Sequence, residues 1–157
     1  MEIKLLGSLL IALSGGVLSA SFCRFQKRRL LVLDSYISLL FYIKGQIDCY
    51  SKPISEILMG ADRDILNACG YRDDNQSLSD MLLQSKIYLG GESMRLLSCF
   101  ADEFGSTYKG EQLRRCDYYI EALLEERNSL SQEIPSKTKV GSALWMCASI
   151  AVMIILW

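Results

Sequence analysis

The chain has 157 residues, half of them hydrophobic, with two prolines and a formal net charge of −1. That length suits one domain, that composition excludes a disordered chain, and near-neutrality removes the electrostatic case for nucleic acid. There is no histidine, so the commonest general base and the commonest partner ligand for zinc are both missing.

The first element is an uncharged run, Leu5 to Cys23, preceded by Glu2 and Lys4. It reads as a transmembrane helix occupying residues 1–23. A cleaved leader is the rival reading, with small residues near Ser19 to Ser21 as the cleavage site. Against it, Arg24-Phe25-Gln26-Lys27-Arg28-Arg29 follows at once, and such a basic cluster resists translocation.

Residues 24–139 then read as an α-helical bundle. Leu30, Leu33, Ile37, Leu40, Phe41 and Ile47 recur at three and four residues, which predicts a long amphipathic helix ending near Cys49. Ser51 and Pro53 open a short helix with Ile54, Ile57 and Leu58 on its apolar face and Gly60 as its stop. Asp62 caps a second, carrying Ile65, Leu66 and Cys69 toward Gly70. After a polar loop at 72–76, Ser77 and Asp80 start a third, with Leu78, Met81 and Leu82 inward. Gly90-Gly91 separates it from a fourth, where Leu96, Leu97, Phe100 and Phe104 lead to a stop at Gly105.

The last soluble helix is predicted from Lys109 to Glu133. Its apolar stripe is Leu113, Tyr119, Ile120, Leu123, Leu124, Arg127 and Leu130, and Pro135 ends or kinks it. Val140 to Trp157 is a second run without charge or proline; as a helix it spans roughly 27 Å, close to the thickness of a bilayer core. No window alternates with period two. The expected fold is therefore all-α: a helical bundle of two long and several short helices, flanked by N- and C-terminal transmembrane helices, the latter at 140–157.

Basic flanks decide the topology. Arg24 to Arg29 and Lys137 with Lys139 border the two runs, whereas Leu30 to Ser136 carries seventeen acidic and ten basic residues. Both flanks face the same central segment, which places that segment in the cytosol as the middle of a membrane hairpin. Small residues recur at four-residue spacing in each leg: Ser8, Ala12, Gly16 and Ala20 in the first, Ala143, Cys147 and Ala151 in the second. Such faces allow close packing between the legs or against a neighbour, a second copy included.

Chemistry is scarce. Six cysteines, Cys23, Cys49, Cys69, Cys99, Cys116 and Cys147, are widely spaced with no C-x-x-C, which reads as free thiols in a reducing compartment. No phosphate-cradling loop, nucleophile elbow or metal-binding helix motif is present, so the sequence predicts no catalytic residues, no metal and no cofactor. Asp102-Glu103 and Glu125-Glu126 are adjacent carboxylates that point about 100° apart on a helix. Only convergence of three or more of Asp102, Glu103, Glu111 and Glu126 would argue for an enzyme. Glu111 with Arg114 and Arg115 reads as a helix-surface ion pair.

Four blocks carry a family resemblance. They are Lys4-Leu5-Leu6-Gly7 ahead of the first run; Gln46-Ile47-Asp48-Cys49-Tyr50-Ser51-Lys52-Pro53-Ile54-Ser55-Glu56-Ile57-Leu58; Phe104-Gly105 with Gln112 following; and Lys137-x-Lys139 before a glycine-containing terminal span. In that order they resemble the stage III sporulation protein AB family, itself similar to the platform proteins of type II secretion and type IV pilus systems. The resemblance implies a non-enzymatic scaffold in the mother-cell membrane around the forespore, within a channel-like complex. It also implies partners: a secretion-type ATPase docked on the cytosolic helical domain, and other subunits of the complex. Candidate contact residues from the blocks are Gln46, Tyr50, Pro53, Glu56, Phe104, Gly105 and Gln112, which could equally fix the turns and packing of the long helices. Without the resemblance, a membrane-anchored sensor holding a small ligand inside the bundle is the other reading.

Overall fold

In the computed structural model, residues 2–50, 54–72, 77–104 and 108–156 are described. Among them the chain forms six helices and no strand: α1 (Glu2–Tyr50), α2 (Ile54–Met59), α3 (Arg63–Ala68), α4 (Leu78–Ser85), α5 (Gly91–Glu103) and α6 (Lys109–Leu156). The chain divides into two compact units, Met1–Lys27 with Leu130–Trp157, and Arg28–Ser129. The long helices α1 and α6 each contribute to both.

The first unit holds the outer ends of α1 and α6. Pro135 lies inside α6, which continues past it to Leu156. The ring holds φ near the helical value, so its missing N–H removes one backbone bond without forcing a stop. One turn on, the Thr138 hydroxyl donates to the Ile134 carbonyl at 2.8 Å. The two helices meet where a Cβ added to Gly141 would touch the Phe22 ring at 3.4 Å. Among the described residues one helical stretch, Gly16–Cys49, is long and apolar enough by composition to cross a membrane, with mean hydropathy 1.3.

The second unit is built around the inner half of α1. Leu33, Ile37, Leu40 and Ile47 are buried as their spacing predicts, and Val32, Tyr36, Leu39 and Ile43 join them. This stripe is wider than the single face read from the sequence because several short helices pack around it. From α6, Cys116, Tyr119, Ile120 and Leu123 complete the core. Two expected core residues lie outside it: Phe41 and Leu124 are 51% and 37% exposed. Each follows a buried leucine directly, and one helical step of about 100° turns it outward.

The short helices start and stop by local chemistry. The Asp62 carboxylate accepts from the Asp64 N–H at 2.8 Å and caps α3. Ser77 and Asp80 form a reciprocal capping box on α4, with the Asp80 N–H on Ser77 Oγ at 3.2 Å and the Ser77 N–H on Asp80 at 3.1 Å. After α3, Gly70 takes φ +89°, a left-handed value that closes the helix and suits glycine. The readings of Ser51 and Pro53 as a helix start, and of Gly105 as a stop, fall outside the described residues.

Candidate functional site: the α5–α6 face

α5 and α6 pack through aromatic rings. Phe100, buried on α5, lies 5.3 Å from the Phe104 ring and 5.6 Å edge-on from Tyr119 of α6. Glu103, at the last turn of α5, is reached from α6 by two donors: Arg115 Nη1 at 2.9 Å and the Tyr119 hydroxyl at 3.0 Å. Arg115 Nε also donates to Glu111 at 3.3 Å, and Arg114 Nη2 donates to the same carboxylate at 2.8 Å. The spacing of Glu111, Arg115 and Tyr119 on α6 places them on successive turns of one face. Glu103 closes the network from the other helix.

Electrostatics follow from these contacts. Arg115 and then Arg114 hold the Glu111 carboxyl below the usual range by hydrogen bonding. Burial, helped by the hydrogen bond to Glu103, pushes the Tyr119 hydroxyl up to about 12. Both shifts lead away from neutrality, so the Glu111 carboxylate stays charged and the Tyr119 phenol stays protonated at physiological pH. Glu103 and Glu111 do converge, on Arg115, but Glu126 lies instead beside Gly90, and Asp102 joins neither.

Phe104 and Gln112, two of the residues singled out in the sequence, line one small cavity with Phe100, Glu103, Arg115 and Tyr119. Its volume is about 10 Å³, the room of one water. Gln46 is half-buried on α1 and Glu56 is exposed in the first turn of α2; neither borders that cavity. Pro53, Gly105 and the Tyr50 side chain fall outside the described residues. Outside the cavity, Arg95, Cys99, Arg114 and Tyr118 line an open groove with Glu103. Arg95 Nε is held by Glu92 at 3.0 Å, and Tyr118 is 62% exposed.

Part of the expected packing stripes lies among the described residues. Gly16, Ala20, Ala143, Cys147 and Ala151 are exposed, and a Cβ on Gly16 would meet nothing within 4 Å. A Cβ on Gly141 would instead lie 3.4 Å from the Phe22 ring. The side chains of Ser8 and Ala12 fall outside the described residues. Among the described residues, no group of three or more His, Cys, Asp or Glu side chains is placed to hold a metal.

The network at Glu103 was missed in the sequence. Glu111, Arg114 and Arg115 were visible as a local pair, but the partner on α5 is twelve residues from Arg115 and reaches it only through helix packing.

Residues 75–157, just over half of the chain, match the family described as stage III sporulation protein AB. The chain belongs to that family. The matched part begins just ahead of the Ser77 cap and runs through α4, α5 and α6, so every residue of the α5–α6 network lies within it. No curated protein and no solved structure matches the chain.

Proposed function

We propose that this sporulation protein is a non-enzymatic membrane scaffold in the channel-like complex between mother cell and forespore. In this reading two spans anchor it in the mother-cell membrane, and the Arg28–Ser129 unit offers a cytosolic surface to a secretion-type ATPase. The α5–α6 face carries the reading. Its exposed tyrosine, Tyr118, stands beside arginines already held in place by carboxylates, and ordered Tyr and Arg side chains are the types that dominate protein interfaces. The basic flanks at Arg24 to Arg29 and at Lys137 with Lys139 support the orientation. The sensor reading gains nothing from the cavity under Phe104, which has room for one water.

The test is co-purification of the ATPase with the full-length protein in membranes. Wild type should capture it. The double variant Tyr118→Ala/Arg114→Ala should capture about tenfold less, a loss of roughly 1.4 kcal/mol. Undiminished capture would move the interface off this face, and no capture by wild type would end the ATPase reading.

A further inference from the structure

α3 and α4 open on side-chain caps, but α5 opens on Gly90, which has no side chain to supply one. In the first turn of α5, Ser93 is fully buried, and among the described residues its hydroxyl has no hydrogen-bond partner. A buried hydroxyl in that condition is costly, because it loses its bonds to water and makes none inside. It lies toward the helix start: a Cβ on Gly90 would stand 3.9 Å from Ser93 Oγ. The same Cβ would stand 3.1 Å from Arg29 Nη2, on α1, and 3.6 Å from Glu126 Oε1, on α6. Three polar groups from three helices thus ring the space beside one glycine.

The cradle has firm walls. Arg29 Nε donates to the Tyr88 carbonyl at 3.2 Å, and the Arg28 guanidinium stands over the Tyr88 ring, 5.4 Å from its centroid. The turn through Ile87 that leads into α5 is closed by the Tyr88 and Leu89 N–H groups, which donate to the Ser85 carbonyl at 2.9 and 3.1 Å. All of these residues belong to the Arg28–Ser129 unit, so the arrangement is internal to it.

The chemistry of the three groups selects what can join them. A guanidinium only donates, a carboxylate accepts, and a hydroxyl does either. An anion would meet Glu126, and a cation would meet Arg29. What suits all three is small, neutral and both donor and acceptor. Water is that molecule, and a buried water typically makes about three hydrogen bonds to groups otherwise without partners.

We propose that the cradle at Gly90 is the seat of one long-lived structural water, which accepts from Arg29 Nη2, donates to Glu126 and pairs with the Ser93 hydroxyl. It ties the start of α5 to α1 and α6 at the point where a side-chain cap is missing. The Gly90 backbone, with φ −70° and ψ 164°, is open to any residue, so alanine there fills the seat without straining the chain.

The experiment is a double-variant cycle in full-length protein in detergent. It is read by denaturant unfolding and by magnetic relaxation dispersion of the water oxygen, which counts long-lived waters. Ser93→Ala should lower the folded-to-unfolded ratio about fivefold, the usual effect of losing one satisfied buried hydrogen bond. In a Gly90→Ala background, where the new methyl group takes the seat, the same change should leave the ratio unchanged or raise it. Gly90→Ala should also hold one long-lived water fewer than wild type. A wild-type background in which Ser93→Ala leaves the ratio unchanged or raises it overturns the proposal, since the hydroxyl then has no partner to lose. An equal loss in both backgrounds overturns it too, because the partner is then a protein group. So does an equal water count in wild type and Gly90→Ala.

Discussion

The Tyr36 hydroxyl, buried in the centre of α1, donates to the backbone carbonyl of Cys69 at 2.8 Å, where α3 ends. The same carbonyl accepts from Ser85 Oγ at 2.7 Å, so its two lone pairs serve two hydroxyls from two other helices. One main-chain oxygen thus ties α1, α3 and α4 together in the dry core.

Removing either hydroxyl leaves the other donor in place. Tyr36→Phe or Ser85→Ala should each cost about 1 kcal/mol, the usual net value of a buried hydrogen bond. The double variant should cost more than their sum, because it strips both hydroxyls from a buried acceptor. Thermal or denaturant unfolding of the three proteins in detergent checks this; simple additivity would mean that water replaces the lost donors.

Two glycines give opposite expectations for alanine. At Gly70 the backbone has φ +89° and a Cβ would stand 3.0 Å from Ser85 Oγ, so Gly70→Ala should lose about 1–3 kcal/mol. At Gly91, the first residue of α5, a Cβ meets nothing within 4 Å. Gly91→Ala should gain up to about 1 kcal/mol from reduced chain freedom in the unfolded state. Unfolding midpoints compared with wild type test both signs.

Alkaline pH should destabilise the Arg28–Ser129 unit through its buried thiols. Burial pushes Cys69 up to about 12, and burial followed by Asp117 pushes Cys116 up to about 11. A raised folded value means the stabilising contribution is complete below the unfolded value, near 9 for a thiol, and disappears as pH climbs through the folded one. Stability should therefore be flat from pH 7 to about 8.5 and then fall. Cys69→Ala should shallow the slope above pH 9 whatever it does to stability at pH 7, and an unchanged slope would exclude Cys69 as a source.

At the α5–α6 face, Tyr119→Phe removes one donor to Glu103 and leaves the ring packing against Phe100. The expected loss is about 0.5–1 kcal/mol, because Glu103 keeps Arg115 and is half open to water. Arg115→Ala removes one donor each from Glu103 and Glu111, and its effect should shrink in high salt, whereas that of Tyr119→Phe should not. Unfolding measured at low and high salt distinguishes them.

In the sequence, the helical class, the Asp62 and Ser77 caps and most of the core were legible, because each depends on residues within one or two turns of each other. Leu78, Met81 and Leu82 are buried as their spacing requires. Pro135 was read as an end or a kink, and it is not an end: α6 continues past it to Leu156. Tyr36 is not among the residues whose spacing marks the α1 stripe in the sequence, yet it is fully buried. Its hydroxyl could be satisfied inside only because α3 and α4 bring Cys69 and Ser85 to it.

The same division holds for the functional surface. By itself, the sequence determined two apolar runs with basic flanks, an acidic helical segment between them and the family blocks; these are properties of composition and short-range order. Tertiary structure alone decided that Glu103 meets Arg115 and Tyr119, that Phe104 and Gln112 share a cavity, and that the Ile87 turn is pinned to Arg28 and Arg29. Each of these joins residues on either side of a break between helices. Local propensity carries no information about such pairs; they form only when burial of the α1 stripe draws the short helices and α6 around it.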